Sequence, residues 1–518
     1  MRTRRILALI WLCFVARLAF YAAMLPLWEG YDEWAHFAVV RRVAGGEILV
    51  SREARIQQDV QASLDLAPVP YELRRLPPPA VIQDDFWRLP ESERARRAAA
   101  FAAMPESWRA ADGRLAAYEA LQPPLYYWIA APALKLAPAA SLGAQVMLLR
   151  WLSCLIGSAA IPLVFLIGRA IFADDSMALA CAAVAAIMPG FAIDLARVGN
   201  ECVGVVLFSA LIWLVADRRA AAAVGCVLGL GLLAKAYFLT AVPAMAVLLM
   251  WDGWRGAARP AARRALTIFG IAGAIAGWWY VRNLVATGTL SGLSEAVMLR
   301  GMGAGAMIAR AAHINWLKAI DGILLSHIYF GGWSSLTARS WMYHVFYLMI
   351  AAAAVGLARG RRTGLEPAAT FYAFFWIGQM YNVVLLYLSK GVAVSMGWYL
   401  YAVIGAEIAV CAAGLRLWRR VLAAGVVLLG LLDFYTVHAL AMPYYAGIVA
   451  HKANGGIAGL HRADPRVFAQ VFSRLAMFKG SLVSPPVVAV SWAGYFVATV
   501  LLITIALRRI ARNHPKPW

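Results

Sequence analysis

The stretch ILALIWLCFVARLAFYAAMLPL, residues 6 to 27, is almost entirely apolar. About 20 such residues in a helix cross a bilayer core of roughly 30 Å. Similar stretches recur along most of the chain, in which 63% of the residues are hydrophobic and 14% are charged, against about 45–50% and about 25% in soluble domains. The sequence therefore predicts an all-α, polytopic membrane protein. Because the first stretch exceeds the apolar core of a signal peptide, roughly 7–15 residues, we expect an uncleaved signal anchor.

The remaining apolar segments predict roughly twelve transmembrane helices in total. They lie near residues 145–169, 176–196, 201–217, 221–236, 239–252, 264–283, 340–358, 366–388, 394–414, 419–436 and 484–507. No tandem repeat of about 20–50 residues is visible. The six cysteines lie in or beside these segments without CxxC spacing, which predicts packing residues rather than a disulfide framework.

Short arginine clusters between the segments account for the net charge of +21. If the spans alternate in direction, the clusters that begin at Arg2, Arg218, Arg255, Arg359, Arg416 and Arg508 all fall on one side. Basic residues are enriched in cytoplasmic loops, so this pattern predicts a multi-pass membrane protein with both termini in the cytoplasm. Because the charges are dispersed, nucleic acid is not expected as a partner.

The long polar stretch at residues 28–121 holds 15 of the 27 acidic residues but 12 of the 48 basic ones. We expect it to form a large first periplasmic loop with short juxtamembrane helices. The following QPPLYYWIAAPALKLAP, residues 122–138, is short for a span and predicts a juxtamembrane or re-entrant helix. The predicted organisation is a catalytic membrane module at 1–436, a periplasmic loop at 437–483, and a last helix with a cytoplasmic tail at 484–518.

Two adjacent carboxylates, Asp32 and Glu33, follow the first span in GYDEWAHFAVV, residues 30–40. One interpretation is capping of a helix at the membrane surface, where acids favour the amino end. Capping needs one acid, however, and His36 lies within one turn of both. A carboxylate here could serve as a general base. A divalent metal site is the less favoured alternative, because Mg²⁺ and Mn²⁺ usually take more oxygen ligands than this group offers.

Several other charged or polar residues are expected near the same outer ends of the helices. Lys235 and Arg282 are single cations on the side where basic residues are rare, so they either snorkel to the interface or bind an anion. Asp194, Arg197 and Glu201 fall on one stripe if their helix continues through Gly199, which predicts either an internal ion pair or part of a site. Gln122 and Asn283 complete the candidates. Walker A, HExxH and paired CxxC signatures are absent from the sequence.

The order of five motifs resembles bacterial GT-C membrane glycosyltransferases, which include protein O-mannosyltransferases and aminoarabinose transferases. The motifs are GYDEWAHF, QPPLYYW, VGNE, GLLAK and WWYVRNLVATG, spread over the first 300 residues or so. The resemblance implies a GT-C fold, a polyprenyl-phosphate-linked sugar as donor, transfer on the outer face, and Asp32 as catalytic base with Glu33 in support. It also implies Lys235 and Arg282 as contacts of the donor phosphate. Relatives often have His or a charged residue before the proline pair, where this chain has Leu121 and Gln122.

The sequence thus predicts a glycosyltransferase that moves a sugar to a hydroxyl of a cell-envelope acceptor, with inversion at the anomeric carbon. Nucleotide sugars are not normally available outside the cytoplasmic membrane, so a donor carried by a membrane lipid fits the compartment. His36, Gln122, Glu201, Lys235, Arg282 and Asn283 are the expected donor- or acceptor-binding residues, and no cofactor is expected. The alternative is a multispanning transporter or lipid flippase, in which the same charges would line a pathway.

Overall fold

The computed structural model describes residues 2–359, 364–416, 418–452 and 467–512, and helices dominate it. The helices are α1 (Arg2–Met24), α2 (Glu33–Ala44), α3 (Gln58–Leu66), α4 (Gln83–Arg88), α5 (Glu91–Ala102), α6 (Leu125–Lys135), α7 (Leu142–Ser158), α8 (Ala160–Phe172), α9 (Asp175–Ile187), α10 (Pro189–Leu195), α11 (Glu201–Ala216), α12 (Ala221–Ala234), α13 (Ala241–Asp252), α14 (Ala258–Thr287), α15 (Ser294–Met298), α16 (Ala304–Ala311), α17 (Trp316–Ile328), α18 (Ser340–Ala358), α19 (Glu366–Lys390), α20 (Ile404–Leu415), α21 (Arg419–Tyr435), α22 (Met442–Tyr445), α23 (Phe468–Ala476) and α24 (Pro485–Arg512).

Shorter elements connect these helices. Turns of 3₁₀ helix occur at Tyr71–Leu73, Glu106–Arg109, Tyr118–Leu121, Ala236–Thr240, Gly332–Ser334, Gly397–Val403 and Gly480–Leu482, and π-helical turns at Gly253–Ala257 and Thr436–Ala441. The strands are β1 (Arg55–Gln57), β2 (Pro68–Val69), β3 (Val81–Ile82) and β4 (Asp112–Ala116). β1 pairs with β4 in antiparallel fashion, and β2 pairs with β3 in parallel fashion. All four strands lie in the first polar loop.

Eight helical stretches of the described chain are long and apolar enough to cross a membrane, or nine if the bent pair α9–α10 is one span. The eight are Arg2–Met24, Leu142–Phe172, Ala236–Thr287, Ser340–Ala358, Glu366–Lys390, Gly397–Leu415, Arg419–Tyr445 and Pro485–Ala511. They confirm the expected all-α, polytopic architecture. α6 has 11 residues, about 16 Å of helix, and is too short to cross.

The sequence predicts more spans, roughly twelve, than this count because some apolar helices are short or joined. α11 and α12 have 16 and 14 residues, about 24 and 21 Å of helix. The stretch Ala236–Thr287 has 52 residues, about 78 Å, which exceeds any single crossing. It divides into α13 and α14 at a break where Gly256 has a φ of 98°, and the two helices pack against each other. Each of the twelve predicted segments therefore coincides with helix.

The carboxyl end of α1 is held by two buried cations from distant parts of the chain. Arg150 of α7 donates to the carbonyl oxygens of Ala22, Leu25 and Pro26 at 3.0, 2.7 and 2.6 Å. Lys479 donates to the carbonyl oxygens of Ala23 and Met24. The last carbonyls of a helix have no partner within it, and cations are favourable there. These contacts fix the point at which the chain leaves the membrane toward α2.

A buried ion pair joins the first helix to the last part of the chain. Arg17 of α1 donates to the two carboxylate oxygens of Asp433 on α21 at 2.7 and 2.9 Å. The hydroxyls of Tyr21 and Tyr495 donate to the same carboxylate at 2.6 and 2.7 Å. A buried charge is tolerated when it is paired and hydrogen-bonded. This pair therefore stabilises the packing of α1, α21 and α24.

Candidate functional site

Asp32 stands at the amino end of α2 but does not cap it. Its backbone is left-handed, with a φ of 55°, and its side chain makes no capping hydrogen bond. Instead, the hydroxyl of Tyr118 donates to Oδ1 of Asp32 at 2.6 Å. Asp32 is half-buried, whereas the eight residues that follow it are buried. The capping interpretation is therefore wrong for Asp32, and the carboxylate remains accessible at the surface of the site.

Glu33 points in a different direction from its neighbour and is completely buried. Its carboxylate accepts two hydrogen bonds from Arg150, at 2.7 and 2.6 Å, and one from the backbone N–H of Val198 at 3.0 Å. Both oxygens are therefore occupied. This geometry makes Glu33 a positioning residue, which fixes the start of α2 to α7 and to the segment before α11.

His36 lies one turn into α2 and contacts the residues that precede α6. Its Nδ1 is 3.0 Å from the hydroxyl of Tyr127, which donates its hydrogen to the carbonyl of Glu119. Nδ1 therefore carries the imidazole hydrogen, and Nε2 faces the Glu119 carboxyl at 3.5 Å. Burial, together with the charges of Arg197 and Lys235, lowers the pKa of His36 well below its usual value. The imidazole is therefore neutral, and the Glu119 oxygen that faces it has no hydrogen-bond partner among the described residues.

Glu119 is a site residue that our sequence prediction did not include. It lies in the 3₁₀ turn Tyr118–Leu121 and is buried. Burial and the charge of Asp32 raise the pKa of Glu119, while Lys235, Arg197 and a hydrogen bond with Gln122 oppose the shift. Glu119 therefore holds a proton close to Asp32. Gln122 belongs to the same site, because its side chain is hydrogen-bonded to Glu119. Tyr118, also missing from the prediction, contacts Asp32 from this turn.

The predicted cation Lys235 lies in a buried network with residues of the segment before α11. Its Nζ forms an ion pair with Glu201 and donates to Oδ1 of Asn200 at 2.9 Å. It also lies 5.7 and 5.4 Å from the ring centroids of Tyr237 and Tyr399. Lys235 is therefore not a snorkelling residue, and its charge is balanced by a carboxylate inside the site.

Arg197 connects the same network to the loop that carries Asp32. Its Nη2 is 2.9 Å from Asp194 and 2.6 Å from Glu201, and its Nη1 donates to the carbonyl of Tyr31 at 2.7 Å. A Cβ at Gly30 would lie 2.5 Å from the Cβ of Arg197, so only glycine permits this approach. The chain is not helical through Gly199, since α10 ends at Leu195 and α11 begins at Glu201, which agrees with the separate apolar segments predicted at 176–196 and 201–217. The ion pairs form across this break.

Arg282 and Asn283 have separate environments near the end of α14. The Arg282 guanidinium lies 5.0 Å from the Trp279 ring centroid, and within the described residues it forms no ion pair. Asn283 is buried, and its amide donates to the carbonyls of Leu290 and Ser291 at 3.4 and 3.2 Å. Asn283 therefore stabilises the turn after α14, and its expected role in donor or acceptor binding stays a prediction.

Arg52, which the sequence analysis did not single out, lies near Arg282. It donates to the carbonyl of Gly292 in the turn after α14. Partial burial and the charge of Arg282 lower the pKa of Arg52. In the part of the chain that the structure describes, neither guanidinium has a carboxylate within 4 Å. The two arginines therefore present positive charge at the carboxyl end of α14.

Groups of three or more His, Cys, Asp or Glu side chains placed to hold a metal ion do not occur among the described residues. All six cysteines are free thiols.

Comparisons with known proteins give similarity at the level of structure. No protein-family model matches the chain, and no curated protein matches it. A crystal structure of ArnT from Cupriavidus metallidurans bound to undecaprenyl phosphate is similar, with a TM-score of 0.48 and 13% identity, over 97% of this chain and 77% of that chain. The same protein in the apo state gives a TM-score of 0.45 and 12% identity, over 95% of this chain and 75% of that chain.

Proposed function

We propose that this protein is a membrane glycosyltransferase that moves a sugar from a polyprenyl-phosphate donor to a hydroxyl of a cell-envelope acceptor, on the periplasmic face of the inner membrane. The observation that carries the proposal is the set of partners around the Asp32 carboxylate. Of the other carboxyl groups around it, Glu33 pairs with Arg150, and Glu201 pairs with Arg197 and Lys235. Burial and the charge of Asp32 raise the pKa of Glu119, which therefore keeps its proton. Asp32 has one neutral partner among the described residues, the Tyr118 hydroxyl, and its second oxygen can accept a proton.

In the proposed reaction, Asp32 accepts the proton of the acceptor hydroxyl as that oxygen attacks the anomeric carbon. The new C–O bond forms while the bond from the anomeric carbon to the donor phosphate oxygen breaks, and the phosphate leaves with the electron pair. A single displacement inverts the anomeric configuration. A positioned base of this kind contributes about 10²–10⁴ in rate. Glu33 supports the base by fixing the start of α2.

The leaving phosphate needs cations that are not already neutralised. Lys235 is balanced by Glu201, whereas Arg52 and Arg282 have no carboxylate partner in the described chain. Arginine binds phosphate through two parallel N–H groups. We therefore assign the first contact with the donor phosphate to Arg282, with Arg52 beside it. Lys235 would stabilise the negative charge that develops on the phosphate as it leaves.

The surroundings of Arg282 support a donor that arrives in the bilayer. On the same helix, Val281, Leu284 and Val285 are 61%, 49% and 83% exposed. Exposed apolar residues on a membrane helix face lipid. A phosphate at the end of a long prenyl chain could therefore reach Arg282 from the side, while its chain stays among lipid. This arrangement favours a lipid-linked sugar over a water-soluble one.

A transfer assay tests the proposal. Purified protein in lipid nanodiscs is incubated with radiolabelled polyprenyl-phosphate sugars and a cell-envelope extract. We expect label transfer by the wild type and a loss of about 100-fold or more in Asp32→Asn. Asp85→Asn is the matched control, because it removes an exposed carboxylate of the same loop that pairs only with Arg88 at 3.2 Å.

The outcomes separate the candidate functions. Transfer that survives in Asp32→Asn would remove Asp32 as the base. If the wild type transferred no sugar from any donor but moved labelled lipid across the bilayer of a vesicle, the transporter or flippase alternative would replace the proposal. A reporter fused after residue 100 tests the orientation, since a cytoplasmic signal there would place the site on the wrong face.

A further inference from the structure

A cavity lies at the end of the helix bundle opposite Lys235. Its volume is about 460 Å³, and it is bordered by the far end of α11, by α13, and by the starts of α14 and α19. α11 extends from Glu201 to Ala216, so about 24 Å of helix separates the network around Glu201 from this cavity. The cavity is therefore distinct from the candidate transfer site. It lies on the arginine-rich side that the charge bias assigns to the cytoplasm.

The rim of this cavity carries three arginines, Arg218, Arg255 and Arg264. Arg264 donates to the carbonyl of Arg219 at 2.8 Å, and Arg255 lies 4.9 Å from the ring centroid of Trp251. Within the described ranges, none of the three forms an ion pair with a carboxylate. The nearby Arg219, by contrast, pairs with Asp217 at 2.6 Å. The three cavity arginines therefore carry positive charge that no carboxylate of the described residues neutralises.

The wall of the cavity is apolar on the side of α13, unlike the arginine-rich rim. Met245, Leu248 and Leu249 of α13 form this surface deeper in the bundle. Asp252 and Glu366 also line the cavity, and in the described chain neither forms an ion pair. A ligand of this cavity must therefore combine an anionic group at the rim with an apolar group along α13. It can also offer a hydrogen-bond donor to the two carboxylates.

The outer surface beside the cavity faces the membrane interface. Met250, Trp251, Trp254 and Leu266 are 72%, 42%, 80% and 76% exposed. Tryptophan concentrates at the boundary between lipid and water. The chain turns there at Gly256, whose φ of 98° lets α13 and α14 meet at this boundary. The cavity mouth is thus placed at the depth of phospholipid headgroups.

We propose that this cavity binds the phosphate-bearing headgroup of a membrane phospholipid. The phosphate diester accepts hydrogen bonds from Arg218, Arg255 and Arg264, because basic pockets between helices on this side recognise lipid phosphates. The acyl chains extend along Met245 and Leu248 into the bilayer. Asp252 and Glu366 accept from a hydroxyl or an ammonium of the headgroup. This binding site does not depend on the proposed transferase activity.

The test is lipid binding to the purified protein, measured by native mass spectrometry and by thermal melting. Detergent-solubilised protein is titrated with phosphatidylglycerol, phosphatidylethanolamine or inorganic phosphate. We expect phospholipid to bind and to raise the melting temperature, and the double variant Arg218→Gln/Arg264→Gln to bind at least tenfold more weakly. Arg259→Gln/Arg263→Gln is the matched control, because it removes two exposed arginines from the same region of α14 that do not line the cavity.

Three results would overturn the proposal. An equal loss of binding in both double variants would mean that general positive charge, and not the cavity, attracts the lipid. Stabilisation by inorganic phosphate as strong as that by phospholipid would identify a free-anion site. A wild-type protein that binds neither phospholipid would remove the site altogether. The melting temperature of each variant without added lipid shows whether it is folded, so a folding defect cannot be mistaken for lost binding.

Discussion

Glu33 and Arg150 face each other as a two-point ion pair, with Nε to Oε1 at 2.7 Å and Nη2 to Oε2 at 2.6 Å, and neither side chain is exposed. The pair places a positioning carboxylate next to the proposed base in sequence, with partners that the base does not share. Removing one member of a buried ion pair leaves the other charge without its partner.

Glu33→Gln should therefore lower the free energy of unfolding by about 3–5 kcal/mol, because the Arg150 charge loses its counter-ion. Thermal melting in detergent measures the effect. Asp85→Asn, which breaks an exposed pair, should change stability by about 1 kcal/mol or less. If Glu33→Gln abolished transfer while its melting temperature stayed at the wild-type value, Glu33 would be a catalytic residue and not a positioning one.

Tyr118→Phe should reduce the transfer rate about tenfold without loss of fold. The hydroxyl of Tyr118 orients the Asp32 carboxylate through a hydrogen bond of 2.6 Å, and a bond to a charged group is worth about 1.5–3 kcal/mol. Single-turnover transfer and melting temperature are compared in the same preparation. Tyr347→Phe, on α18, is the control, since it removes a similar tyrosine–aspartate bond to Asp321 outside the site. A rate equal to that of the wild type would show that Asp32 needs no orientation by Tyr118.

Arg282→Gln should raise the KM for the lipid-linked donor about tenfold, with a smaller change in kcat, because Arg282 is proposed to make the first phosphate contact. Arg52→Gln should act in the same direction. Both effects should weaken at high salt, which screens partly exposed charges. Arg310→Gln on α16 is the control, an exposed arginine outside this pair. An unchanged KM in both site variants would remove the two arginines from donor binding.

The pH dependence of stability should include a contribution from Glu29. Burial raises the pKa of Glu29 to about 8, against hydrogen bonds from Ser334 that lower it. Between pH values of about 4.5 and 8, the folded chain keeps a proton that the unfolded chain releases, so rising pH lowers the free energy of unfolding by up to about 1.4 kcal/mol per pH unit. Above the folded pKa the loss is complete.

Glu29→Gln cannot ionise and should lack this dependence. The melting temperature of the variant relative to the wild type should therefore increase as pH rises from 5 to 8 and then level off, since other titrating groups cancel in the comparison. A difference that is constant with pH would mean that Glu29 is ionised in the folded protein throughout this range.

The fold class follows from the sequence because each crossing is determined locally, by about 20 neighbouring apolar residues. α6 is recognisable for the same reason, since its prolines and its length are local features. Partners across the fold are not visible in this way. Tyr118 and Asp32 are 86 residues apart, and Glu33 and Arg150 are 117 apart. The sequence therefore predicted Asp32 and Glu33 as candidates but could not predict the partners, Tyr118 and Arg150, that each of them contacts.

The side-chain partners in two segments outside regular helix could not be predicted from the sequence. The chain breaks at Gly199, between two predicted apolar segments, and still brings Arg197 to Glu201. Asn283 stands beside Arg282 in the sequence, yet its amide is used by the turn after α14. In both cases, the hydrogen-bonding needs of backbone groups outside regular helix decided where a side chain points.

The capping of α1 by Lys479 also bears on biosynthesis. Translation begins at the amino end, so α1 is made long before the lysine that holds its carboxyl end. Until residue 479 has been made, the loop that presents Asp32 lacks one of the two basic side chains that anchor it. A nascent or truncated chain would then insert its early helices before this loop is fixed.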